Sequence, residues 1–180
     1  MEQKVNPWKA NLTNGLILGL IGVVYSLIFY FLDLSLNKTQ GYAFILVQVV
    51  ILFFLLKSYR DNLMHGQITY GESVGAGVII CLYYSIIVSV FVYILYAVID
   101  PGLIAKQLAL AEEEMGKRGL PQEAMDAGMA WTAKIMKPGV MAFTGIFFNM
   151  IMGTVISLIV SIFIKKEGNP LLDIQANQPE

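Results

Sequence analysis

Four long stretches of the sequence contain no Asp, Glu, Lys or Arg. They run roughly over residues 10–32, 39–56, 73–99 and 138–164. An α-helix needs about 20 predominantly apolar residues to cross a hydrocarbon core of about 30 Å. The pattern therefore predicts an all-α fold, an integral membrane four-helix bundle with spans near residues 11–32, 41–57, 72–99 and 138–164.

The connector between the third and fourth spans, residues 100–137, has a helical pattern of its own. Apolar and amide side chains recur at helical spacing in its first half, at Leu103, Ile104, Gln107, Leu108 and Ala111. In its second half, three methionines and a threonine recur at helical spacing: Met125, Met129, Thr132 and Met136. A turn signal, Gly116–Pro121, separates the halves. The pattern predicts a helical hairpin that extends from the membrane and is continuous with spans 3 and 4.

The methionine-rich face of this hairpin has two interpretations. It packs between the two helices, or it serves as an adaptable surface for a protein partner. The polar residues 170–180 are predicted to form a disordered tail.

Composition supports the membrane assignment. The chain is 57% hydrophobic and 14% charged, whereas soluble domains carry about 25% charged residues. We interpret residues 1–180 as a single membrane domain in contact with the lipid bilayer. The net charge of −1 gives no basic bias towards nucleic acid. A single cysteine, Cys81, precludes a disulfide within one chain and favours a small buried side chain.

Charges near the span ends indicate the orientation. An even number of spans places both termini on one side of the membrane. Five basic residues lie close to span ends on that side: Lys9, Lys57, Arg60, Lys165 and Lys166. Three lie close to span ends on the other: Lys38, Lys134 and Lys137. The positive-inside rule then predicts that both termini are cytoplasmic.

Small residues recur every four positions in two spans. Span 3 carries Ser73, Gly77, Cys81, Ser85 and Ser89, and span 4 carries Gly145, Asn149, Gly153, Ser157 and Ser161. Span 1 has a shorter version at Gly15 and Gly19, with Gly22 and Ser26 nearby. Helices in lipid associate through close packing at small residues. These stripes are predicted to be helix–helix seams, with a polar translocation path as the alternative.

Three polar residues are candidates for intramembrane contacts: Gln48, Glu72 and Asn149. Thr69 and Glu72 fit the Thr-x-x-Glu capping box that starts a helix, and a proton- or cation-coupling role for Glu72 is the alternative. Gln48 and Asn149 lie deepest in the spans, where an amide is costly unless it is hydrogen-bonded. They are predicted to link helices, or else to recognise a ligand.

The sequence offers no sign of catalytic chemistry. It contains no nucleophile–base pair, no phosphate-binding glycine loop and no paired metal ligands. We therefore predict no catalytic residue, no cofactor, no metal site and no enzymatic activity.

The entry to span 3, Ile68–Glu72, carries a family resemblance. Three other features contribute to it: the basic N-terminus with an Asn- and Gly-rich first span (Asn11, Asn14, Gly15, Gly19), the tight first hairpin and the long connector. Over about residues 8–166, the sequence resembles a bacterial family of four-span inner-membrane proteins known only as a domain of unknown function. The resemblance implies that location and architecture. It implies no activity and supplies no catalytic or ligand residues.

Two functions remain open. The leading hypothesis is a non-enzymatic accessory, scaffold or assembly subunit, which binds a protein partner or self-associates through its small-residue faces and connector hairpin. The alternative is a small oligomeric transporter or channel for a proton, ion or small solute, with Gln48, Glu72 and Asn149 lining its path. A membrane enzyme would require polar residues that converge in a water-accessible cavity.

Overall fold

The fold was obtained as a computed structural model, in which residues 6–167 are described. The predicted tail at 170–180 lies outside these residues. The described part forms six α-helices: α1 (Pro7–Phe31), α2 (Lys38–Leu63), α3 (Tyr70–Ile94), α4 (Gly102–Lys117), α5 (Gln122–Ile135) and α6 (Pro138–Ile164). A π-helical turn, Leu95–Ile99, extends α3. Residues 6–167 contain no β-strand apart from one isolated antiparallel bridge, Ile68 to Lys166. The predicted all-α fold is confirmed.

Four of the helices are long and apolar enough to cross a bilayer: α1, α2, α3 with its π-helical turn, and α6. Their outer faces carry large exposed apolar side chains, among them Leu20, Phe54, Val90 and Phe163. Such a continuous apolar surface suits contact with lipid rather than water.

Local signals in the sequence determine where the helices begin and end. Asn6 caps α1, because its side chain accepts a hydrogen bond from Trp8 N–H at 3.0 Å. The predicted capping box of Thr69 and Glu72 is present at the start of α3. α2 continues past the predicted end of its span to Leu63. It stops there because His65 and Gly66 adopt left-handed backbone conformations, with φ of 51° and 79°.

The central helix of the bundle is α3. It packs most extensively against α6 on one side and α1 on the other, while α2 packs less extensively against all three. Buried side chains of α3 such as Ala76, Ile80 and Tyr84 form the core together with Leu18 of α1 and Leu52 of α2. The fold is thus organised around one apolar helix with neighbours on both sides.

The seam between α3 and α6 is formed by the predicted small residues. A Cβ atom added to Gly77 would lie 2.5 Å from Ser157 Oγ, and one added to Gly153 would lie 2.5 Å from Cys81 Cβ. One turn beyond Ser85, Ser89 faces Gly145. The pairs run in opposite directions along the two helices, so α3 and α6 are antiparallel and their backbones approach closely because each contact includes a glycine.

A second seam joins α1 to the opposite side of α3. Gly15 lies against the Tyr83 side chain, and a Cβ atom added to Gly19 would lie 2.6 Å from Ile87 Cδ1. Gly22 meets the ring edge of Tyr84. The shorter stripe of span 1 is therefore also a helix–helix seam.

The two ends of the bundle differ in structure. At the terminal end, where α1 and α3 begin, Arg60 of α2 donates a hydrogen bond to the Ile164 carbonyl of α6 at 3.0 Å. The Ile68–Lys166 bridge closes the same end. At the connector end, α4 and α5 form the predicted hairpin, with a turn through Gly119 (φ 65°).

The connector hairpin is not a continuation of spans 3 and 4, and that part of the prediction is wrong. Asp100, with φ −141° and ψ 79°, interrupts the helix after the π-helical turn. Lys137, with ψ 133°, separates α5 from α6. Leu103 is buried against Leu95 and Tyr96 at the end of α3. α4 then lies at the end of the bundle beside the loop that joins α1 to α2, and residues of both line the same cavities.

Candidate functional site

Gln48 lies in the middle of the bundle. The residue is 4% exposed, and its side chain lies beside the Cys81 thiol, which also neighbours the Ser157 hydroxyl. Its Nε2 atom makes no hydrogen bond to the residues that the structure describes. The amide therefore sits where α2, α3 and α6 meet, in contact with a weak acceptor.

Asn149 lies on α6 between two glycines of the seam. Its Nδ2 atom donates a hydrogen bond of 2.9 Å to the carbonyl of Gly145 in the same helix. This bond satisfies the amide donor locally. Within the described hydrogen bonds, the side chain therefore satisfies its own helix rather than linking two helices.

Glu72 is an exposed residue at the terminal end of α3. Its Oε2 atom accepts hydrogen bonds from Thr69 N–H at 2.9 Å and from Thr69 Oγ1 at 2.8 Å. Thr69 Oγ1 in turn accepts from Glu72 N–H at 3.3 Å. Both residues are thus engaged in starting the helix, and the carboxylate lies at its positive end.

The three candidate residues do not form one site. Glu72 precedes Cys81 by nine residues, which separates it from the level of Gln48 by about 13 Å along the axis of α3. Asn149 lies one turn from Gly153 towards the connector end. The geometry therefore brings Gln48 to Cys81 and Glu72 to Thr69, but leaves Asn149 within its own helix.

Glu72 variants separate a capping role from an ionic one. We expect Glu72→Ala to lower the free energy of unfolding by about 1 kcal/mol, because Thr69 N–H loses its acceptor. Glu72→Gln keeps an acceptor oxygen at the same place and should cost less than half as much. Thermal unfolding in detergent measures both. Equal destabilisation by the two variants would contradict the capping role and favour a need for the charge itself.

A buried polar cluster at the terminal end was missed by the sequence analysis. Asn11 is fully buried, and its Nδ2 atom donates to the Pro7 carbonyl at 3.0 Å. Its Oδ1 atom accepts from Asn14 at 3.2 Å, and its side chain lies beside the Tyr59 hydroxyl of α2. An asparagine inside an apolar span is a signal that could have found it, but its partner on α2 is set by packing.

A cavity lies at the connector end, between α4 and the start of α2. This connector cavity has a volume of about 540 Å³. Its walls come from the α1–α2 loop and first turn of α2, from the outer half of α4 and from the end of α5: Ser35, Leu36, Asn37, Gln40, Gly41, Gln107, Leu110, Ala111, Glu114, Met115, Arg118 and Met136. No local pattern predicts it, because it exists only where α4 lies beside a loop some 70 positions earlier in the chain.

The connector hairpin itself is held by its methionines. The Cε and Sδ atoms of Met115 on α4 lie about 3.2 Å from the Cβ position of Gly128 on α5, and Met125 approaches Gly116 in the other direction. On the outer face, Lys117 Nζ forms an ion pair of 2.6 Å with Glu113. That carboxylate raises the pKa of Lys117. Of the predicted methionine face, Met125 thus packs against α4 within the chain, while Met136 lines the connector cavity.

Residues 6–167 contain no cluster of side chains suited to binding a metal ion. Within this range, no group of three or more His, Cys, Asp and Glu side chains lies close enough to hold an ion. Cys81 is a free, buried thiol in the α3–α6 seam. Its environment is that of a packing residue.

Four apolar helices, packed around α3 through two glycine seams, define an all-helical integral membrane protein. The chain belongs to the family described as Protein of unknown function (DUF4199), whose sequence profile matches residues 13–166. This match confirms the resemblance to a family of unknown function. No curated protein and no solved structure matches the chain significantly.

Proposed function

We propose that this protein is a non-enzymatic accessory or assembly subunit of the bacterial inner membrane, which binds a protein partner through its connector hairpin. In the proposed orientation both termini are cytoplasmic, so the hairpin lies on the outer side of that membrane. The excess of basic residues near the terminal end supports this orientation.

The glycine faces of the spanning helices are already covered within the chain, which makes the hairpin the better candidate for partner binding. Gly15 and Gly19 are covered by α3, while Gly77 and Gly153 are covered by side chains of α6 and α3. Faces that are filled within one chain are not open to another. Partner contacts through these small-residue faces are therefore disfavoured, and the part of the chain outside the spans becomes the better candidate.

The observation that carries the proposal is an exposed apolar pair on α5. Trp131 is 66% exposed and Ile135, one turn later, is 44% exposed. Both lie outside the four spanning helices. Tryptophan is among the residues that contribute most to protein–protein binding energy, and its exposure here is not needed for packing between α4 and α5.

Site-specific photo-cross-linking in native membranes tests the proposal. A benzophenone side chain at position 131 or 135 should give one discrete protein adduct. Ala133 is the matched control, since it is exposed on the same helix but points about 160° away from Trp131. Equal adducts from all three positions, or adducts with lipid alone, would contradict a protein partner at this face.

The orientation has a separate test. We expect a cysteine at Glu123, an exposed position on α5, to react with a membrane-impermeant maleimide in cells with a permeabilised outer membrane and an intact inner membrane. Labelling only after the inner membrane is disrupted would reverse the proposed orientation.

A further inference from the structure

The connector cavity has the size and position of a binding site for an amphipathic molecule. Its volume of about 540 Å³ lies within the range of about 300–1,000 Å³ that is usual for small-molecule sites. Its apolar walls are formed by Leu36, Leu110, Ala111, Met115 and Met136. The cavity lies where the spans end, so a molecule from the lipid phase and one from water can both reach it.

A smaller crevice borders the connector cavity on the side of the spanning helices. This crevice, of about 170 Å³, shares Gln40 and Gly41 with the cavity and is lined further by Gly22, Tyr25, Ser26, Phe44 and Tyr84. These residues belong to α1, α2 and α3, within the spanning helices. The connector cavity thus lies outside the spans, and the crevice beside it lies between them.

Most polar side chains around the cavity are already satisfied by the chain. Gln40 Nε2 donates to the Ser35 carbonyl, and Gln107 Nε2 donates to Tyr96 Oη at 2.7 Å. Asn37 Oδ1 accepts from Thr39 N–H at 2.9 Å and caps α2. These groups shape the cavity but have little capacity left for the charged part of a ligand.

Two of the remaining polar side chains, Ser35 and Arg118, have donor hydrogens without a partner. Ser35 Oγ is buried and has no hydrogen-bond partner among the described residues. The Arg118 guanidinium, on the rim, forms no ion pair or hydrogen bond within the part of the chain that the structure describes. Glu114 shares the rim, but it already has an interaction partner of its own. The first turn of α2 adds the positive end of a helix dipole. This combination favours an anionic group, and an arginine suits a phosphate in particular.

From this geometry we infer that the connector cavity binds one phospholipid. The phosphate lies at the rim beside Arg118 and the first turn of α2, and one acyl chain passes Gly41 along the crevice between α1 and α2. The site is distinct from the exposed pair of Trp131 and Ile135, and the inference does not depend on the proposed protein partner.

Gly41 allows the crevice to be blocked without disturbing the fold. A Cβ atom at this position would have no atom within 4 Å, and the same is true of Gly75 on α3 at the opposite end of the bundle. Gly41→Leu should therefore fill the crevice, while Gly75→Leu adds the same side chain to a helix far from it. Gly41→Ala is a smaller change that should leave an intermediate affinity.

The test is a titration of the purified full-length protein in mild detergent, followed by native mass spectrometry. The probes are palmitoyl-oleoyl phosphatidylglycerol, dioleoylglycerol, which lacks the phosphate, and inorganic phosphate, which lacks the chains. We expect one phosphatidylglycerol per chain, bound at least about tenfold more tightly than either of the other probes.

The variants complete the test. Gly41→Leu should weaken phosphatidylglycerol binding at least about tenfold, whereas Gly75→Leu should leave it unchanged. Arg118→Gln should weaken the binding of phosphatidylglycerol about threefold or more and leave that of dioleoylglycerol unaffected. Equal binding by Gly41→Leu and the natural protein would overturn the inference. So would phosphate that binds as tightly as the lipid, or binding that does not saturate.

Discussion

Gly153→Ala is expected to destabilise the protein by about 1–3 kcal/mol, because a methyl group has no room at this point of the α3–α6 seam. The added Cβ atom would lie 2.5 Å from Cys81 Cβ and 2.7 Å from Cys81 Sγ. Neither atom is the end of a long side chain that can rotate away, so the helices themselves must separate. Unfolding in detergent, followed by circular dichroism, measures the loss.

A second substitution tests whether the clash is the cause. Cys81→Gly removes both atoms that the new methyl group would meet, at the cost of a glycine inside a helix, about 1 kcal/mol. In this background, Gly153→Ala should cost about 1–2 kcal/mol less than in the natural sequence, as expected for residues in direct contact. An unchanged cost would show that Gly153 is required for a reason other than its contact with Cys81.

Gly15→Ala is the second substitution with a large expected effect, about 1–3 kcal/mol. The new methyl group would overlap the Cβ atom of Tyr83, which is fixed to the backbone of α3. At Gly22 the nearest atoms are the Tyr84 ring edge at 2.8 Å and a Val88 methyl at 3.0 Å. Neither of these atoms is a Cβ fixed to the backbone of α3, and both lie farther away than the Tyr83 Cβ does from Gly15, so Gly22→Ala should cost less than Gly15→Ala.

Gly75→Ala is the control for both seams. Gly75 lies inside α3 and has open space where a Cβ atom would be. Alanine favours a helix over glycine by up to about 1 kcal/mol, so this variant should be as stable as the natural protein or more stable. Should Gly75→Ala destabilise as much as Gly15→Ala, the seams would not explain the glycine requirement.

The membrane-spanning helices and their seams could be predicted because both follow from rules of local sequence. A long uncharged stretch has few alternatives to a spanning helix, and glycine or serine every fourth residue places small side chains along one helix face. The four-residue repeat does not predict which residues of the two helices face each other. Which residue faces Gly153 depends on the relative height of α3 and α6, which is decided by the whole bundle.

The helical hairpin of the connector was predicted from the sequence, but the direction in which α4 leaves the end of α3 could not be predicted. The turn at Gly119 is encoded by a glycine in a left-handed conformation, and the helical spacing of α4 and α5 is local. The bend at Asp100 is instead tied to the burial of Leu103 against Tyr96. The contact between Leu103 and Tyr96, which lie on either side of Asp100, sets the position of α4. The connector cavity depends on that position.

The candidate polar residues were only partly interpretable from sequence. The Thr69–Glu72 cap was predictable because both residues lie within one turn. The surroundings of Gln48 and Asn11 were not, since their neighbours Cys81 and Tyr59 are distant in the chain and meet them only through packing. Buried amides in a spanning helix can be recognised from sequence, but their partners require the fold.

The central claim is that the small-residue seams are filled within one chain. In a Cys81→Ala background, cysteines at Ser89 and Gly145 test it, since a Cβ atom at position 145 would lie 3.4 Å from Ser89 Oγ. Because the Ser89 side chain already reaches the Cβ position of residue 145, sulfur atoms at these two positions can come together as a disulfide. After mild oxidation in native membranes, the account predicts a monomer with an internal disulfide. Disulfide-linked dimers in its place would contradict it.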